Sequence, residues 1–178
     1  RNQRSEPGIL DHIRRLGALV GAADRANAYA DGLQRGLDAI EREAAMLPHR
    51  PKVYFEEWDE PPITGIRWVA ELIRIAGGDD LFPERALESL AKARILEDAD
   101  EVIRRAPDII LGSWCGKKFR PEKVTARPGW SAIPAVRDGQ LFEIKSPLIL
   151  QPGPAALTDG VNEIARIIRA WGREKGPE

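Results

Sequence analysis

Cysteine occurs once in the 178 residues, at Cys115, so the chain has no internal disulfide framework and no cysteine-rich zinc site. Histidine occurs only as His12 and His49, which leaves no usual structural metal set. No stretch approaches the roughly 20 apolar residues of a membrane-spanning helix, so the chain does not read as membrane-spanning. Neither sign of charge is in excess, with 27 basic against 28 acidic residues and no run of five Lys or Arg. That balance argues against a nucleic-acid surface, which needs a basic face. Absent too are a GxGxxG fingerprint, a Walker A loop, an HExxH pair, internal repeats and low-complexity segments. The chain opens on Arg1 without an initiating Met or a signal peptide, and so reads as a processed or truncated piece of a longer protein.

What is present is apolar material for a full core: 43% of residues are hydrophobic, enough for one core of about 100–150 residues plus an appendage. The chain is organised around residues 53–78. Val53, Tyr54 and Phe55 are β-formers that lead into Glu56, Glu57, Trp58 and Asp59. An apolar sheet interior does not accept those acids, so the strand is expected to exit there. Pro61-Pro62 interrupts ladder and helix alike, and Thr64 is placed to cap the next element. Ile66, Val69, Ala70 and Ile73 recur at helical spacing until Gly77-Gly78.

Around this unit the pattern predicts a short helix over residues 8–19 and a long one over residues 22–47. In the long helix Ala26, Ala30, Leu33, Leu37, Ile40, Ala44 and Leu47 form a stripe. The stripe suits packing along a domain flank better than a coiled-coil seam, because Gly32 and Gly36 interrupt it. A helix over residues 83–92 follows the central unit. Asp98 and Glu101 then have capping-box spacing for a helix reaching Arg105. Residues 108–112 read as a second buried strand, and residues 121–127 as a helix. Residues 132–136 and 140–144 read as two strands joined at Asp138-Gly139. Residues 154–171 form the last helix. Strands alternating with helices imply an α/β three-layer sandwich with a mostly parallel sheet.

Ligands bind such sheets at the carboxyl ends of the strands. Three polar exits are expected to converge there: Glu56-Glu57-Trp58, residues 113–117 with Ser113, Trp114, Cys115 and Lys117, and Lys145-Ser146. Aromatic area with a few polar groups is what a small-molecule cleft needs, although Trp58 and Trp114 also suit the plain role of covering the end of the core. Cys115, with Lys117, Lys118 and Arg120 nearby, resembles a cysteine-phosphatase loop, but four residues rather than five separate it from Arg120. Glu56 and Glu57 invite acid–base work, yet neighbours on a strand point to opposite faces.

Taken together, residues 53–83, the ADEVIRRAPDIILGS segment, PGWSAIPAVRDGQLFEI and PAALTDGVNEIARII resemble the C-terminal half of the periplasmic binding proteins that serve cobalamin and ferric-siderophore ABC importers. The opening GILDHIRRLGALVGAADRANAYADGLQRGLDAI looks like the end of that family's N-terminal lobe followed by its interlobe helix. The resemblance implies a chelatase-like lobe over residues 48–178, an interlobe helix over 22–47 and a remnant of the first lobe over 1–21. It implies a periplasmic or lipid-anchored extracytoplasmic solute-binding component, not an enzyme, which holds cobalamin or a related metal chelate and delivers it to permease subunits. A ferric siderophore or haem is the alternative solute, and a small α/β thiol enzyme using Cys115 is the alternative class. No cofactor is implied. Position by position, the family's cleft aromatic falls at Glu57 or Trp58, with Trp58 the expected stacking residue. Its docking acid falls at Asp100, where members usually carry glutamate. Its cationic cleft residue has no match, since Ala155 stands there, and Lys145 is the expected substitute. Trp114 and Cys115 complete the expected ligand-binding set.

Overall fold

The structure, a computed structural model, describes residues 5–176. Its first two elements are α1 (Glu6–Leu19) and α2 (Ala23–Ala44), an antiparallel pair. Ser5 caps α1 by accepting the Gly8 N–H at 3.2 Å. Every third or fourth residue of α2, from Ala30 through Leu33, Leu37, Ile40 and Ala44, is buried, and the intervening positions meet water. The stripe is therefore a packing face, which places the helix on the flank of the domain.

β1 (Lys52–Asp59) leads into β2 (Pro62–Thr64), α3 (Arg67–Ile75), β3 (Asp79–Asp80) and α4 (Pro83–Ala86). A 3₁₀ turn at Ala91–Arg94 precedes α5 (Asp100–Arg105), β4 (Ile109–Gly112) and α6 (Pro121–Thr125). After a second 3₁₀ turn at Trp130–Ala132 come α7 (Pro134–Arg137), β5 (Leu141–Glu143) and α8 (Ser146–Ile149). A π turn at Ala156–Gly160 runs into α9 (Val161–Lys175). The sheet order is β2-β1-β4-β5, with β1, β4 and β5 parallel. β3 pairs parallel with the first half of β1 and β2 antiparallel with its second half.

Alternation along the strands builds the layers. Val53, Phe55, Ile109 and Leu111 face one core with α1, α2, α3 and α9. Tyr54 and Ile110 face the other, with Phe82, Val102, Trp114, Phe119, Val124 and Trp130. Each fully covered apolar side chain contributes about 1.5–3 kcal/mol over an exposed one. The fold is thus mixed α/β with a mostly parallel sheet between two helical layers, as the sequence pattern implies.

Several local expectations are corrected. β1 does not exit at its acids; it continues to Asp59 because Glu56, Glu57 and Asp59 each find a cationic partner, of which Arg127 and Arg94 are themselves largely buried. Pro62 and Thr64 belong to a strand, not to a loop and a cap, and Thr64 Oγ1 donates to the Arg94 carbonyl at 3.3 Å. Helix 83–92 is a single turn followed by a 3₁₀ turn. Asp98 does accept the Asp100 N–H at 3.0 Å, but Glu101 turns to Arg85 and Arg105 and leaves the capping box half made. Most consequentially, residues 132–140 form no hairpin. Pro134 opens a helical turn, and Asp138-Gly139 ends it with Gly139 at φ 67° and the Gln140 N–H donating to the Ala135 carbonyl at 2.8 Å. The Asp-Gly pair serves a helix end, and β5 then joins β4 in parallel.

Asp80 in β3 lines a hollow of about 370 Å³ beside Arg67 and Arg74. Burial raises its carboxyl to about 7; the charge of Glu84 adds to this, while the Phe82 N–H and Arg105 oppose it. The folded state therefore holds a proton that the unfolded chain releases near pH 4, so Asp80 favours folding at low pH, and that contribution fades as pH rises through about 7. Asp80→Asn is expected to raise stability at pH 8 by roughly 1–3 kcal/mol and leave it little changed at pH 4, as urea denaturation at the two pH values would measure.

Candidate functional site: a lysine-lined cleft at the sheet edge

Because β1, β4 and β5 are parallel neighbours, their carboxyl ends open on one edge. The ladder extends past the strand ends: the Ser113 N–H donates to the Glu56 carbonyl and the Ile144 N–H to the Gly112 carbonyl, both at 2.9 Å. Ser146 Oγ donates to the Trp114 carbonyl at 3.0 Å, tying the third exit to the second. Between these segments lies a cleft of about 780 Å³ whose lining includes Cys115, Lys117, Lys118, Glu143, Lys145 and Ser146. Its one carboxylate, Glu143, already accepts the Phe119 N–H at 3.0 Å. With Lys117, Lys118 and Lys145 against that one carboxylate, the cleft is cationic.

Beneath the rim sits a buried ionic centre. Glu56 is fully buried and accepts from Arg127 at 2.7 and 2.9 Å, Tyr54 Oη at 2.9 Å and Trp114 Nε1 at 3.0 Å. Burial, followed by the charge and the hydrogen bond of Glu56, pushes the Tyr54 phenol far above its usual range. Burial pulls Arg127 down, but its bonds to Glu56 outweigh this and its guanidinium titrates above the usual range. Arg127 is thus held charged, and three side chains, Tyr54, Trp114 and Arg127, are locked to one carboxylate by four hydrogen bonds.

The expected site residues divide. Cys115 and Lys145 both line the cleft and are exposed. Trp114 is corrected: its ring is 1% exposed, packs edge-on to Phe119 at 5.0 Å and donates to Glu56, so it is core and offers no face to a ligand. Glu57 is held by Arg94 Nη1 at 2.6 Å, and Arg94, buried beside it, also donates to the Thr64 carbonyl. Glu57 therefore staples the β1–β2 hairpin to the 3₁₀ turn. Trp58 is half-buried, with its indole N–H on the Glu60 carbonyl at 2.9 Å and its ring under Lys117 Nζ at 4.1 Å. Asp100 is exposed in the first turn of α5 and is not one of the residues that line the cleft. Sequence reasoning missed Arg94, Arg127 and the pairing role of Asp59. The one local hint was an arginine inside the otherwise apolar run Ala93-Arg94-Ile95-Leu96.

Among the described residues no cluster of three or more His, Cys, Asp or Glu is placed to hold a metal ion, and no helix is long and apolar enough to cross a membrane.

The chain is thus a mixed α/β unit with a mostly parallel sheet, a cationic hollow at the carboxyl edge of that sheet and a long helix on its flank. The sequence profile of the family described as periplasmic binding protein matches residues 2–148, and the chain belongs to that family. Its members are solute-binding proteins and not enzymes, which sets aside the thiol-enzyme reading of Cys115. Membership implies an extracytoplasmic setting. No curated protein matches the sequence significantly.

Among solved structures, the chain is similar to a possible iron-binding (periplasmic solute-binding) protein from Staphylococcus epidermidis, at 18% identity and TM-score 0.80 over 94% of this chain and 64% of that one. It is also similar to Staphylococcus aureus IsdE complexed with heme, at 19% identity and TM-score 0.77 over 93% of this chain and 66% of that one. A third is the periplasmic vitamin B12 binding protein BtuF of Vibrio cholerae, at 18% identity and TM-score 0.72 over 96% and 64%. The chain thus spans less than two thirds of the length of each of these proteins. At these identities the likeness speaks for the fold.

Proposed function

We propose that this chain supplies one ligand-holding lobe, with the helix that joins it to a second, of the solute-binding component of an ABC importer. α2 is that helix, and the cleft at the sheet edge is one jaw of a two-jawed hollow. The solute is a bulky metal chelate that brings its own coordination shell, cobalamin first and a ferric siderophore second. Capture is by closure of the jaws and release by docking on the permease, with no bond chemistry. Asp100, exposed on α5, is the carboxylate offered to the permease. The setting is periplasmic or lipid-anchored on the outer side of the membrane.

The observation that carries the choice of solute is the make-up of the cleft. Three lysines and apolar edges line it, but no His, Tyr or Met that would ligate an iron with open positions. Tyr54 is buried on Glu56, and His49 and Met46 precede β1 at the opposite end of the sheet. Haem stands beside the ferric siderophore as the alternative solute because Cys115, exposed in the cleft, is a soft donor beside ammonium groups suited to propionates.

The test is titration of the whole protein with cyanocobalamin, a ferric tris-hydroxamate and haemin, read by absorbance and tryptophan fluorescence. Cobalamin binding at micromolar concentration or tighter, unchanged by Cys115→Ser, is the expected result. Haem binding that Cys115→Ser abolishes would transfer the assignment to haem. Failure of all three to bind would remove the metal-chelate reading.

A further inference from the structure

Lys117 is held in a way that the other cleft lysines are not. Its ammonium donates to Asp59 Oδ1, whose side chain is 2% exposed, and lies 4.1 Å from the centre of the Trp58 ring and 5.3 Å from that of Trp114. Trp58 is itself fixed by its indole N–H on the Glu60 carbonyl. We propose that Asp59 and Trp58 are positioning residues for Lys117, and that Lys117 is the group by which this lobe selects solutes bearing an anionic substituent. The proposal rests on the solute-binding reading of the same cleft, and it reassigns Trp58 from a stacking platform to one wall of a lysine clamp.

Three physical points support it. An ammonium carries three donors; Asp59 takes one, aromatic faces accept none in the ordinary sense, and Lys117 lines the cleft with 38% of its side chain exposed. Donors are therefore left for the solute. Second, a free lysine surrenders much rotamer freedom when a ligand fixes it. Here the carboxylate below and the ring beside it have already fixed it, so an anion meets a preorganised donor. Third, Asp59 stays charged in its buried place. Burial alone would raise its carboxyl, but the Lys117 hydrogen bond, its own backbone N–H and the charges of Lys117 and Lys123 hold it below the usual carboxylate range. Asp59 does not cancel the field of the cleft, because Lys117, Lys118 and Lys145 together outnumber Asp59 and Glu143. Asp59 Oδ2 has no hydrogen-bond partner, with Lys123 Nζ 3.9 Å away, so the carboxylate grips Lys117 through one oxygen.

The experiment compares paired probes on the whole protein: cyanocobalamin, which carries a phosphodiester, against dicyanocobinamide, which lacks it, and a ferric tris-catecholate against a ferric tris-hydroxamate. Wild-type protein is expected to prefer the phosphodiester- or catecholate-bearing member of the pair it binds by about tenfold or more. Lys117→Gln is expected to erase that preference, Lys117→Arg to keep it and Asp59→Asn to reduce it several-fold, with binding of the other member little changed. A merely structural role would weaken both members alike. Because Lys117→Gln leaves the buried Asp59 carboxylate without its cation, the double variant Lys117→Gln/Asp59→Asn, which removes both charges, is expected to erase the preference equally and decides the matter should either single variant unfold. A preference that survives Lys117→Gln, or an equal loss for both members, overturns the proposal while leaving the metal-chelate reading standing. Wild-type protein that binds none of the four probes overturns both.

Discussion

Arg127→Ala is expected to lower the free energy of unfolding by about 3–5 kcal/mol and the melting temperature by roughly 10 °C. The reason lies in Glu56, which is fully buried and receives two of its four hydrogen bonds from Arg127, at 2.7 and 2.9 Å. Removing the guanidinium leaves a carboxylate without a counter-charge in the interior, still bonded to Tyr54 and Trp114. Neither neutral donor compensates a charge taken out of water. The cost is desolvation of the survivor rather than the lost attraction, so Glu56→Gln combined with Arg127→Met is expected to be clearly less destabilising than Arg127→Ala alone. Thermal melts of the three variants check this. Equal losses in Arg127→Ala and the double variant would show that the pair is not what holds the centre together.

Gly112→Ala is expected to cost about 3 kcal/mol or more, from steric conflict rather than electrostatics. A Cβ on Gly112 would stand 1.9 Å from Phe119 Cδ2 and 2.0 Å from Cε2. The Phe119 ring has no room to retreat, being 1% exposed and packed edge-on to Trp114 at 5.0 Å between ring centres. Gly112 also occupies the last position of β4, where its neighbours are Glu56 of β1 and Glu143 of β5. The strand cannot shift without carrying both adjoining exits with it. Phe119→Leu in the same chain is expected to recover at least about 1 kcal/mol of the loss, a coupling that two unrelated sites would not show. Additive losses in urea denaturation would contradict the close approach.

Much of the geometry of the candidate site was legible because its elements are local in sequence. A strand that exits into polar residues is visible from Val53 through Asp59, and parallel strands joined by helices must deliver their exits to the same edge, which is how Cys115 and Lys145 were expected together and were found in one cleft. What could not be read was which polar residue at the edge faces inward. Trp114 and Cys115 are adjacent, yet the first is core and the second is exposed. Glu56 and Asp59 resembled surface acids because their partners, Arg127 and Lys117, lie 71 and 58 residues away. Buried charge breaks the hydrophobic pattern on which strand reading depends, so β1 was expected to end before it does.

The amino-acid sequence by itself determined the α/β class, the flank position of the long helix and the edge of the sheet on which the polar strand exits gather, since these follow from periodicity and from the handful of ways parallel strands can be connected. The tertiary structure alone decided that the Asp138-Gly139 pair closes a helical turn, that Glu57 is a staple and that Lys117 is clamped rather than free. Each of those depends on which distant group arrives to satisfy a donor, an acceptor or a charge, and burial makes that choice only once the chain has closed on itself.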